Sequence, residues 1–158
     1  GSLAVQNALG SATSAGTGIL FLGDDLGKHA HNMASTHGTN AFYDLAYVSD
    51  YTDRVYNTTV SANTTAHDVI NGEYGLVGSY SYIADLDTIS AAGLGETVLM
   101  STASSTPAVL AAEDSTGQRT VSIIGSIYNS HDCPISDSSG LGELEILFKN
   151  SIHWLQGW

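Results

Sequence analysis

The chain has very little positive charge. Lys28, Lys149, Arg54 and Arg119 stand against 16 acidic residues, for a formal net charge of -12 at pH 7 with histidine neutral. Four cations scattered over 158 residues do not make the basic patch that neutralises several phosphates, which argues against nucleic acid as a partner. Such a surface repels phosphate, attracts cations and stays soluble at high ionic strength, where its self-repulsion is screened. A halophilic or extracellular setting fits it. Cysteine occurs once, at Cys133, which excludes an internal disulfide framework and a multi-cysteine zinc site. Proline occurs twice, against 17 glycines and abundant Ser, Thr and Ala, so the composition is that of a folded chain with many tight turns. No apolar run approaches the ~20 residues of a membrane-spanning helix, and the first residues lack the charged and apolar regions of a signal peptide. Gly1-Ser2 suits a cloning scar or the start of a processed chain.

What is present is enough apolar material for one core. With 42% hydrophobic residues over this length, residues 19–158 are expected to form a single domain, preceded by an arm or short helix over residues 1–18. Residues 19–22 (ILFL) are predicted as a buried strand that ends at Gly23-Asp24-Asp25. A helix is predicted over 26–40, then strands over 41–48 and 54–62, with one or two helical turns over 65–71. Residues 75–79 (GLVGS) and 97–101 (TVLMS) suggest strands, and 86–92 a short helix stopped by Gly93 and Gly95. Residues 107–113 suit a strand or a short helix, and 118–128 (QRTVSIIGSIY) a buried strand. Finally, Leu144, Leu147, Phe148, Ile152 and Leu155 recur at helical spacing, which predicts an amphipathic helix over 142–155. Short apolar strands alternating with short helices point to an α/β fold: a three-layer, flavodoxin-like sheet, mainly parallel, with helices on both faces.

Three groups of residues invite chemistry. Asp24 and Asp25, at a strand end and followed by His29 and His31, combine carboxylate and imidazole as zinc, manganese or iron sites do. Two histidines one residue apart point in different directions on a helix, so only a loop or extended segment lets both converge. Otherwise they are surface histidines after a solvated acidic turn. His131, Asp132 and Cys133 share a polar loop after the strand over 118–128, where an imidazole near a thiol would generate a thiolate. Asn57-Thr58-Thr59 and Asn63-Thr64-Thr65 are N-glycosylation sequons, which imply an exposed loop if the protein is secreted. Tyr80, Tyr82, Trp154 and Trp158 are candidates for a sugar-binding face, or for core and rim.

Read in order, YGLVGS (74–79), GETVLMSTASSTPAVLAAE (95–113), GQRTVSIIGSIYNSHD (117–132) and LEILFKNSIHWLQG (144–157) resemble the class I glutamine amidotransferase-like fold, including its ThuA-like relatives. In active members of that family a cysteine sits at a glycine-flanked elbow after the middle strand, and a histidine with a nearby acid lies in a later loop. The resemblance places His131 and Asp132 at the later pair. At the elbow it places Met100-Ser101-Thr102-Ala103-Ser104, which has a serine at 101 but neither cysteine nor glycine. It therefore implies a degenerate, ligand-binding or structural member, and with the acidic surface and the two sequons the expectation is a non-catalytic binding or assembly module of a secreted or cell-surface protein. Such a module would have a protein or carbohydrate partner, need no cofactor unless a divalent metal, and be compatible with a homo-oligomer. One alternative is a hydrolase of sugar or amide substrates, using a metal at Asp24, Asp25, His29 and His31 or a His131-assisted serine such as Ser101. Another is a structural subunit of an extracellular assembly, docked through residues 3–18.

Overall fold

The computed structural model describes residues 3–23, 26–38, 40–55, 58–82, 86–124 and 142–157. Four helices are present among them: α1 (Leu3–Ser14), α2 (Leu26–His37), α3 (Ala41–Ala46) and α4 (Glu143–Leu155). The longer strands are β1 (Ile19–Leu22), β2 (Val48–Val55), β3 (Thr58–Ala62), β6 (Ser79–Tyr82) and β7 (Leu86–Ala91), then β8 (Thr97–Thr102), β9 (Pro107–Glu113) and β10 (Arg119–Ile123). β4 (Asn71–Gly72) and β5 (Gly75–Leu76) form a minimal hairpin.

The main sheet runs β1-β10-β9-β8-β3-β6, with β2 and β7 paired separately. It is mixed, not mainly parallel as the alternating pattern suggested: β1 pairs in parallel with β10, and the other four pairings are antiparallel. The reason is chain length. A parallel crossover needs a dozen or more residues, whereas β8 reaches β9 through residues 103–106 and β9 reaches β10 through 114–118. Side chains hold both turns closed. Thr102 Oγ1 accepts from the N–H groups of Ser104 and Thr106, both at 3.3 Å, and Asp114 Oδ1 accepts from Thr116 N at 2.7 Å and Gln118 N at 3.1 Å.

Two predicted elements change type. Residues 41–46 form helix α3 instead of a strand, because Tyr43 and Ala46, three apart, are both buried when the segment is helical. Tyr47 then takes a left-handed φ of 57° and ends the helix just before β2. Residues 86–91 form strand β7, not a helix, with Thr88 and Ile89 facing Thr52 and Tyr51 of β2. The segment before β4 closes a single helical turn, with Ile70 N and Asn71 N donating to the His67 carbonyl at 2.8 and 2.9 Å, and Val77, fully buried, joins β5 to β6 without belonging to either. β9 is the strand, not the helix, of its two readings.

The strands β9 and β10 are buried along nearly their whole length, which requires cover on both faces. α3 supplies one contact, where Ser122 Oγ of β10 donates to the Ala46 carbonyl at 2.7 Å inside the protein. α4 packs on β1 and β10 and buries Leu144, Leu147 and Trp154. It is also clamped to the β4–β5 hairpin. Asn150, 1% exposed, accepts from Tyr74 N at 3.0 Å and donates to the Gly75 carbonyl at 2.9 Å, while Glu143 Oε2 accepts from Gly78 N at 2.8 Å. Gly72 lets the chains approach this closely, since a Cβ there would collide with the Asp68 carbonyl oxygen and lie 2.9 Å from Asn150 Oδ1. One apolar cluster joins these layers, from Ile19 and Phe21 through Leu99, Val109 and Val121 to Leu147.

Candidate functional site

Ser101 lies near the end of β8, opposite Ser61 of β3. Its Oγ accepts a hydrogen bond from Asn63 Nδ2 at 2.8 Å, and the same amide donates to the Val98 carbonyl at 3.2 Å. A nucleophile elbow is a sharp strand-to-helix turn that lifts the hydroxyl or thiol clear of the sheet. Here the chain instead turns back into β9, with Thr102 Oγ1 and Thr106 Oγ1 2.6 Å apart across the turn and Ser105 at a φ of 62°. The segment that the family resemblance aligns with the elbow is thus the tip of a β-hairpin. His131, Asp132 and Cys133 lie outside the described residues, so Ser101 has an amide partner here and no described imidazole.

Asp24 and Asp25 also lie outside the described residues. His29 and His31 both lie on α2. His31 is exposed, with its ring 5.4 Å from that of Tyr51. Among the described residues no group of three or more His, Cys, Asp or Glu side chains is placed to hold a metal ion. Asn57 is outside the described residues, whereas Asn63 is exposed but donates both amide protons within the sheet. Tyr80 and Trp154 are buried at 5% and 8% exposure, so they serve the core and not a sugar-binding face.

Trp154 instead anchors a cluster that closes the end of α4. The Arg119 guanidinium lies 4.9 Å from the Trp154 ring centre, donates to the Trp154 carbonyl at 2.7 Å and pairs with Glu113 at 2.8 Å. On the indole also rests His67, ring to ring at 4.9 Å, whose Nδ1 accepts from Val69 N at 3.2 Å. Burial pushes the His67 imidazole below its ordinary pKa, helped by Arg119 and opposed by Asp68 and Glu113.

A different place has the shape of a binding site. Between α1 and α3 opens a cavity of about 800 Å³, a volume typical of small-molecule pockets. α1 builds one wall in an unusual way, turning polar residues inward: Gln6 and Thr13 are its buried side chains, while Leu3 and Val5 are exposed. Thr13 is satisfied by its own helix, donating to the Gly10 carbonyl at 2.8 Å. Gln6 is not, since its Oε1 is buried and has no hydrogen-bond partner among the described residues. Asn7, Gly10, Ser11 and Ser14 continue this wall, and Asp44 and Leu45 of α3, with Tyr47 and Gln118, form the other side. Burial raises the Tyr47 phenol above its ordinary pKa, with Asp114 and Glu96 adding to it, so the ring enters the site uncharged. Nothing in the sequence marked this cavity, because its lining is ordinary amides and hydroxyls drawn from three separate stretches of the chain.

No family model matches the sequence, and no curated protein does. Solved structures do match. A cytoplasmic protein from Salmonella typhimurium superposes with a TM-score of 0.62 at 15% identity, over 94% of this chain and 59% of its own. A protein of Bacteroides uniformis named as ThuA-like gives 0.61 at 14% identity, over 98% of this chain and 64% of its own. A second cytoplasmic protein, from Salmonella typhimurium LT2, gives 0.51 at 13% identity, over 94% and 58%. The fold is therefore similar to that of a ThuA-like protein, and identities this low speak to fold alone. This chain spans about three fifths of the length of those proteins.

Proposed function

We propose that this chain is a non-catalytic amidotransferase-like binding module, a degenerate relative of the ThuA-like proteins. The observation that carries the reading is the β8–β9 hairpin. Where the active family needs an elbow presenting a nucleophile, this chain has a threonine-locked turn with Ser101 held by Asn63. Glutaminase and esterase assays are expected to show no turnover above background in the purified protein. Turnover that Ser101→Ala or Cys133→Ser abolishes would overturn the reading, because either result requires an assembled nucleophile.

A place at the cell surface remains part of the proposal through the charge of -12 and the two sequons. The engaged amide of Asn63 weighs against use of the second sequon, since a glycan would displace a proton now given to Ser101 or Val98. An assembly role draws on the exposed Leu3 and Val5 of α1. A Leu3→Ser, Val5→Ser double variant that elutes at the wild-type oligomeric size would remove that role.

A further inference from the structure

The cavity between α1 and α3 carries a directional preference. Gln6 borders it at 5% exposure with its Oε1 closed to solvent, so the polar groups that can meet a guest are the hydroxyls, amides and carboxylate around it. Ser11 and Ser14 have already given their protons to their own helix, at the Asn7 carbonyl (2.9 Å) and the Gly10 carbonyl (2.8 Å). What these hydroxyls offer a guest is lone pairs. Asp44 adds a carboxylate, which only accepts when ionised, and no Lys, Arg or His is among the described lining residues. The amides of Asn7 and Gln118 would suit a neutral polyol, but such a guest leaves the Asp44 charge unanswered. Over the whole chain a net charge of -12 raises the local concentration of cations.

We propose that this cavity binds a small organic cation whose charge sits on N–H groups, an alkylammonium or guanidinium compound. Asp44 meets the charge, and the Ser11 and Ser14 hydroxyl oxygens take its N–H donors. The site stands apart from the β8–β9 hairpin, so glutaminase turnover would sink the non-catalytic reading and leave this one untouched.

Titration calorimetry with putrescine and agmatine tests it, in about 0.15 M salt to screen diffuse attraction to the acidic surface. Tetramethylammonium, which has the charge without N–H groups, and sorbitol, which has donors without charge, serve as controls. The expected result is saturable one-to-one binding of at least one amine, about tenfold tighter than either control and about tenfold weaker in Asp44→Asn. Gly10→Leu is expected to abolish binding while the helical signal and thermal midpoint hold, because a Cβ at Gly10 meets nothing within 4 Å and leaving glycine favours the helix. If Gly10→Leu fails to fold, the exposed Asp44→Asn change decides alone. The proposal is overturned if neither amine saturates at millimolar concentration, if a control binds as tightly, or if Asp44→Asn binds like the wild type.

Discussion

His67 shows how one residue is read differently in sequence and in structure. In the sequence it is one histidine beside Asp68, whereas in the fold it lies on Trp154 with Nδ1 committed to the Val69 N–H. Its folded pKa is depressed, chiefly by burial, so the native protein takes up its proton at lower pH than the unfolded chain does. The unfolded chain therefore binds more protons as pH falls from about 6.5, and stability contributed by neutral His67 drops through that window and levels below the folded pKa. Above about 6.5 the contribution is complete. Urea denaturation at pH 8 and pH 5.5 should show a smaller loss of stability in His67→Asn, which keeps an acceptor for Val69, than in the wild type. An equal loss in both would mean that His67 does not titrate differently on folding. Gln6 makes the same point for the cavity: glutamine in a short, weakly patterned stretch looks peripheral, and only the docking of α1 on α3 turns it inward.

Among the elements, α4 was the most legible and also the most consequential. Its apolar spacing, its acidic first turn and His153 near its end all agree with the helix found over Glu143–Leu155. Spacing could not indicate that Asn150, on the same helix, would hold the β4–β5 hairpin. Asn150→Ala is expected to cost about 2–3 kcal/mol, because the Tyr74 N–H and the Gly75 carbonyl both lose their partner. Chemical denaturation measures this, and a loss within about 0.5 kcal/mol, the range of ordinary surface changes, would show the clamp to be dispensable. Residues 41–46 and 86–91 depart from the elements their pattern predicts for a shared reason. Short apolar segments of six or so residues satisfy both periodicities, and the partner they bury against decides which one is used. For 41–46 that partner is β10, reached through Ser122, and for 86–91 it is β2.

For the whole molecule, the charge is the dominant sequence property. With 16 acidic residues against four basic ones, like-charge repulsion opposes the compact state, and salt weakens that repulsion as the screening length falls from about 30 Å at 0.01 M to about 3 Å at 1 M. The thermal midpoint should accordingly rise with sodium chloride across this range, as followed by circular dichroism, and a flat or falling midpoint would show that the acids are already well separated or paired. The amino-acid pattern by itself determined the acidity, the absence of a disulfide framework, the strand β1, the helix α4 and the α/β class. These depend on composition or on local periodicity, which each segment carries with it. Only the tertiary structure decided that the sheet is mixed, that the stretch around Ser101 is a hairpin tip, and that a cavity opens between α1 and α3. Those features depend on which strands become neighbours and on which side chains, far apart in the chain, are brought together when the core closes.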